Sequence, residues 1–274
     1  MKDILQEIVA SKRLEVEQRK QACTEEYLRE QIEQQIATHQ TRHSMKDALR
    51  TSETGIIAEF KRKSPSKGWI HEDAVPEEVV PAYEQAGASA LSILTDEPFF
   101  GGNLKYIKQV RPLVDIPILR KDFIIDVYQL LEAKLVGADA VLLIAACLQP
   151  DECKMLIEEA HRLDLEVLLE LHAPSELRHI EGKPDMVGIN NRNLGSFVTD
   201  VQNSFRMAEA LKEAVAGMDY KPILVSESGI SSPNIIRELH TIGYRGFLLG
   251  EAFMKTVDPA ETLCKFIKEI KQIT

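Results

Sequence analysis

The stretch GADAVLLIAACLQPDECKMLIEEAHRLDLEVLLEL, residues 137–171, holds the repeating unit of the chain. Its two apolar runs, Ala140–Ala145 and Glu166–Leu171, are short and bounded by polar residues, as strands buried on both faces are. Between them Pro150–Leu163 is amphipathic and opens on proline, whose missing N–H costs nothing in the first turn of a helix. Strand, helix, strand over some thirty residues is the βαβ unit, which needs a parallel sheet.

Outward from this unit the pattern repeats. Further apolar runs lie at Ile56–Phe60, Ala90–Thr95, Ile116–Leu119, Met186–Asn190, Pro222–Ser226 and Arg245–Leu249, which makes eight at a spacing of about 27 residues. The intervening helices are expected at Pro76–Gln85, Leu104–Leu113, Val127–Val136, Pro150–Leu163, Pro174–Ile180, Ser204–Val215, Pro233–Ile242 and Pro259–Ile273, with Gly87, Gly137 and Gly243 closing three of them. Eight units fit a closed α/β fold, the (β/α)8 TIM barrel. A doubly wound open sheet would carry a glycine-rich nucleotide turn after its first strand, and Gly55–Gly68 contains no GxGxxG. Residues 1–50 differ: they have no glycine, balance nine basic against nine acidic residues, and space Ile4, Leu5, Ile8 and Val9, then Leu28, Ile32 and Ile36, as helices do. They are expected to form an N-terminal helical extension packed on a single catalytic domain, 51–274.

The 274 residues carry a net charge of −10, with 44% apolar and 28% charged residues. Such a surface argues against broad nucleic-acid or anionic-membrane binding. The longest apolar run, Ala140–Leu148, is far too short to span a bilayer, and the opening residues lack the apolar core of a signal peptide. Cys23, Cys147, Cys153 and Cys264 form no CxxC pair and have no clustered histidines, so a reduced cytoplasmic protein without a metal site is expected.

Polar residues interrupt the apolar pattern at the carboxyl ends of the strands, the face on which barrels build their active sites. Glu59 and Lys61 sit two apart and so share the interior face. Arg120, Lys121 and Asp122 end the third run. Glu170 lies inside LLEL, where an unpaired carboxylate would cost several kcal/mol and therefore calls for a cation such as Lys61 or Lys121. Asn190 and Arg192 follow the sixth run. The seventh and eighth end in Ser226-Glu227-Ser228-Gly229 and Gly250-Glu251, where barrels commonly hold a phosphate on backbone N–H groups; Ser64 on the first loop could close over the same group. The expected ligand is a small phosphorylated molecule, and the chemistry lysine and glutamate acid–base transfer without a cofactor.

Seven motifs now become specific: IIAEFKRKSPSKG (56–68), LSILTDEPFFGG (91–102), PILRKDFIID (117–126), GADAVLLI (137–144), GINNRNL (188–194), SESGI (226–230) and GFLLGEAFM (246–254). Their wording and order resemble the indole-3-glycerol phosphate synthase family over nearly the whole chain. The resemblance implies a carboxy-lyase of tryptophan biosynthesis that closes the indole ring on a phosphorylated aromatic substrate. It implies Lys121 as general acid and Glu170 as base of the dehydration, with Glu59 and Lys61 positioning the substrate and assisting proton transfer. Asn190 would order the site and Arg192 would meet the substrate carboxylate. Phe100, Phe123, Leu142 and Leu194 would wall the aromatic ring, while Ser64, Ser228, Gly229, Gly250 and Glu251 would cradle the phosphate, the last two through backbone N–H. Partial burial and neighbouring Lys61 are expected to lower the pKa of Lys121, and a monomer is expected. Phosphoribosylanthranilate isomerase, a smaller barrel of the same pathway, uses a cysteine at the end of its first strand; here that strand ends in Glu59 and Lys61.

Overall fold

The computed structural model describes residues 4–36, 43–193 and 198–273. Eight parallel strands close into a barrel: β1 (Ile56–Phe60), β2 (Ala90–Leu94), β3 (Ile118–Lys121), β4 (Ala140–Ile144), β5 (Glu166–Leu171), β6 (Met186–Asn190), β7 (Ile223–Glu227) and β8 (Tyr244–Leu249), which pairs back onto β1. Period-two alternation sorts their side chains. Ile57, Leu119, Leu142, Leu168, Val225 and Leu248 meet along the axis, while Ile56, Ala58, Phe60, Val141 and Leu143 pack outward against the helices. Among the described residues, no helix is long and apolar enough to cross a membrane.

Three helices precede the barrel: α1 (Ile4–Ala22), α2 (Glu25–Ile36) and α3 (Met45–Thr51). The outer layer comprises α4 (Pro76–Gln85), α5 (Glu97–Phe100), α6 (Lys105–Val110), α7 (Val127–Val136), α8 (Pro150–Arg162), α9 (Gln202–Val215), α10 (Pro233–Thr241), α11 (Glu251–Met254) and α12 (Pro259–Ile273). Prolines set several departures from the sequence expectation. The third strand starts two residues later than expected because Pro117 has no N–H for the ladder; its end moves accordingly, bringing Arg120 and Lys121 into the strand. Pro112 ends α6 early and leaves a 3-10 turn at Arg111–Leu113, and the segment after β5 is a 3-10 helix, Pro174–Gly182.

The three leading helices occupy different parts of the surface. Leu5 and Ile8 of α1 reach the carboxyl-end rim, while Leu28 and Ile32 of α2 pack on Tyr128 and Leu131 of α7. Helix α3 stoppers the opposite end, where Met45 and Leu49 are fully buried among the axial side chains. Ser44 caps α3 by accepting from the Asp47 N–H, and Glu166 at the start of β5 accepts from both the Ser44 hydroxyl and the Lys46 N–H.

Candidate active site

A cavity of about 810 Å3 opens at the carboxyl ends of the strands. Its floor is charged. Lys121, from the end of β3, places Nζ 2.8 Å from Glu227 of β7, 3.7 Å from Glu59 of β1 and 3.8 Å from Glu170 of β5. Lys61 closes on the far side of Glu59 at 2.5 Å. The three carboxylates are almost completely buried, and such charges persist only when paired.

This ring of charge shifts the titration of Lys121, Glu59 and Glu227. Burial works against the Lys121 ammonium, yet Glu227, Glu59 and Glu170 together outweigh it and hold its pKa above the ordinary lysine range. This corrects the expected lowering: the nearest groups are three carboxylates, and their summed attraction exceeds desolvation. Burial also opposes ionisation of Glu59, but Lys61 and Lys121 hold its carboxyl below the usual range. With three carboxylates around two ammonium groups, one negative charge is in excess. Glu227 shows that excess: burial pushes its carboxyl up to about 7, against the pull of Lys121 and with the help of neighbouring Glu170. Beside Glu170, at 3.3 Å, the His172 ring is kept neutral chiefly by burial, which lowers its pKa despite the carboxylates of Glu176 and Glu227.

Two glycines make room for this floor. A Cβ at Gly188 would stand 2.2 Å from Glu227 Oε1, and one at Gly250 would stand 2.3 Å from Glu59 Oε1.

Above the floor one wall is apolar. Phe100 and Phe123 pack with ring centroids 5.9 Å apart, beside Leu142, and α1 adds Leu5 and Ile8. The opposite wall is backbone. Ser228 and Gly229 both have positive φ, at 66° and 76°, which costs a non-glycine residue of order 1 kcal/mol. Asn191 offsets that strain: its amide donates to Ser226 Oγ and to the Ser228 carbonyl, while its Oδ1 accepts from the N–H and hydroxyl of Ser204. Gly250 and Glu251 complete this side. Arg192 reaches across, with Nη1 on Ser66 Oγ at 3.0 Å and Nη2 3.4 Å from Glu251. Asn190 turns the chain towards it by accepting from the Arg192 N–H.

Glu59, Lys61, Phe100, Lys121, Phe123, Leu142, Glu170, Asn190, Arg192, Ser228, Gly229, Gly250 and Glu251 thus surround one cavity. Ser64 is buried in the hairpin after β1, whose Pro65, Ser66 and Lys67 line the cavity. Leu194 lies outside the described residues. Glu227 is named from sequence only as part of the seventh strand's end and is given no role there. Its signal is the one that marks Glu170: a carboxylate within an apolar strand, here Val225-Ser226-Glu227, requires a buried cation.

Comparison with known proteins shows the family. The family model described as indole-3-glycerol phosphate synthase matches residues 5–266. The indole-3-glycerol phosphate synthase of Bacteroides thetaiotaomicron is 60% identical over 271 residues, covering 99% of this chain and 100% of the relative. That of Carboxydothermus hydrogenoformans is 42% identical over 264 residues, covering 94% and 97%. Among solved structures, a mutant tryptophan synthase alpha-subunit from Pyrococcus furiosus superposes with a TM-score of 0.58 at 15% identity, covering 80% of this chain and 98% of its own. KGPDC from Streptococcus mutans gives 0.60 at 11%, covering 80% and 97%. These two share the barrel. Seven colinear motifs, a charged floor at the carboxyl ends of the strands and full-length relatives at up to 60% identity converge on one assignment: the chain belongs to the indole-3-glycerol phosphate synthase family.

Proposed function

We propose that this cavity carries out the family's ring closure through Lys121, with the remaining floor residues dividing the later proton transfers. The substrate, 1-(o-carboxyphenylamino)-1-deoxyribulose 5-phosphate, offers an aromatic ring, a carboxylate, a ketone and a phosphate. Phe100, Phe123, Leu142 and Leu194 would hold the ring. The N–H groups of Gly229, Gly250 and Glu251, with Ser228 and Ser64, would hold the phosphate. Arg192 would meet the substrate carboxylate, its charge shared with Glu251.

Attack of the carboxylate-bearing ring carbon on the ketone builds negative charge on oxygen. The Lys121 ammonium stabilises that charge and transfers its proton as the carbon–carbon bond forms. The ring carbon is then sp3, and loss of carbon dioxide returns the electron pair to the ring without an electron-sink cofactor. Dehydration follows: the hydroxyl leaves as water with a proton from the Lys61–Glu59 side, and Glu170 removes a proton from the methylene carbon beside nitrogen in the new five-membered ring. Asn190 orders the turn that carries Arg192. The products are indole-3-glycerol phosphate, carbon dioxide and water, so atoms balance.

The observation that carries this reading is the ammonium of Lys121 at the centre of three carboxylates on the cavity floor. The test is direct. Pure protein incubated with the carboxyphenylamino substrate, without added metal or nucleotide, should develop indole fluorescence; its absence would overturn the assignment.

A further inference from the structure

Outside the catalytic floor lies a second charge cluster, built around a buried ammonium. Lys12 of α1 is 1% exposed, and its Nζ meets Glu15 at 2.7 Å, Asp96 at 3.0 Å and Asp122 at 3.0 Å. Position 12 falls on the buried face of α1, between Ile8 and Val16. An ammonium there must be desolvated, which is unfavourable unless its partners are well placed. Both aspartates are themselves 1% exposed.

The two aspartates begin the two loops that carry the aromatic wall. Asp96 caps α5 by accepting from the Phe99 N–H, and α5 ends at Phe100. Asp122 follows Lys121 directly and accepts from the Phe123 N–H. Their environments differ. Asp122 also holds Arg120 at 3.0 Å and the Thr95 hydroxyl at 2.6 Å, whereas the only other group on the Asp96 carboxylate among the described contacts is that Phe99 N–H. Asp96 therefore depends on Lys12 far more than Asp122 does.

We propose that Lys12 is a positioning residue: its buried ammonium clamps α1 to the Asp96 and Asp122 loops and thereby sets the spacing of the Phe100–Phe123 wall. The inference rests on the reading of that wall as the seat of the substrate's aromatic ring. Loss of Lys12 would loosen α5, and with it Phe100, more than β3. Because Arg120 and Thr95 continue to hold Asp122, Lys121 would keep its direction. Binding of the ring would suffer before the chemistry does.

The protein supplies its own reporter. Trp69, the single tryptophan, lies against Gly101, the residue that ends α5, so closely that a Cβ on that glycine would stand 2.7 Å from the indole. In full-length Lys12→Met, KM for the carboxyphenylamino substrate should rise about tenfold while kcat stays within about threefold. Acrylamide quenching of Trp69 should increase in the absence of substrate. Should the single variant fail to fold, Lys12→Met combined with Asp96→Asn removes the uncompensated carboxylate and retains an Asn cap on Phe99; the same shifts in KM and quenching are expected. A lowered melting temperature with unchanged KM and unchanged quenching would overturn the clamp, and so would a collapse of kcat at constant KM. If wild-type protein gave no turnover, the proposed reaction would fail, yet the quenching comparison would still decide whether Lys12 positions α5.

Discussion

At the residue scale the site is a problem of charge balance. Three buried carboxylates face two ammonium groups, and burial pushes the carboxyl of Glu227 up to about 7. A carboxyl raised to about 7 in the folded chain, against about 4.3 in an unfolded one, binds more protons folded than unfolded between those values. Its contribution to stability is complete below about pH 4 and is lost as pH rises to about 7. Glu227→Gln lacks that titration. The stability of wild type relative to this variant should therefore fall between pH 5 and 7; a relative stability that rises over that window in paired melting curves would contradict the assignment. Ser228 poses a different test. A hydrogen bond to a charged phosphate is worth about 1.5–3 kcal/mol, and a phosphate remote from the reacting bond contributes mainly uniform binding. Ser228→Ala should raise KM roughly tenfold or more and leave kcat nearly unchanged. Collapsed kcat at constant KM would argue against a phosphate contact. Most of these residues were legible in sequence because each breaks an apolar strand at its carboxyl end. Lys12 was masked by its place in an amphipathic helix, where a charge ordinarily faces solvent.

At the element scale the leading helices have separate tasks. Helix α1 supplies Leu5 and Ile8 to the cavity and Lys12 to the buried cluster, and its Arg19 pairs with Glu132 of α7 at 2.9 Å. Helix α3 plugs the far end of the barrel with Met45 and Leu49. Deleting residues 1–44 removes α1, α2 and the Ser44 cap while leaving α3 in place. The truncated protein should show both a higher KM and a lower melting temperature. Full activity and an unchanged melting temperature would make the segment a dispensable tail. Periodicity in 1–50 foretold helices that need an apolar partner, but not that they would divide between the two ends of the barrel. That division depends on long-range pairs such as Lys12 with Asp96 and Ser44 with Glu166, which no local pattern encodes.

At the scale of the whole molecule the barrel was legible from repetition alone. Eight apolar runs at near-constant spacing admit few topologies, and two of the boundaries that shifted lie at Pro112 and Pro117, where a missing N–H redirects the backbone. The state of Lys121 was not legible. Sequence places Lys61 nearby and suggests a lowered pKa; only the closed barrel brings Glu59, Glu170 and Glu227 from three separate strands around one nitrogen. The barrel thus keeps Lys121 protonated at neutral pH by geometry that is distributed over the whole chain. The most direct test is the single-turnover rate of Lys121→Ala, followed by indole fluorescence at saturating enzyme, with the fold verified by circular dichroism. General acid catalysis is typically worth about 10²–10⁴-fold, so a folded variant should lose at least 99% of the wild-type rate, whereas retention of more than about a tenth of it would contradict the role given to Lys121.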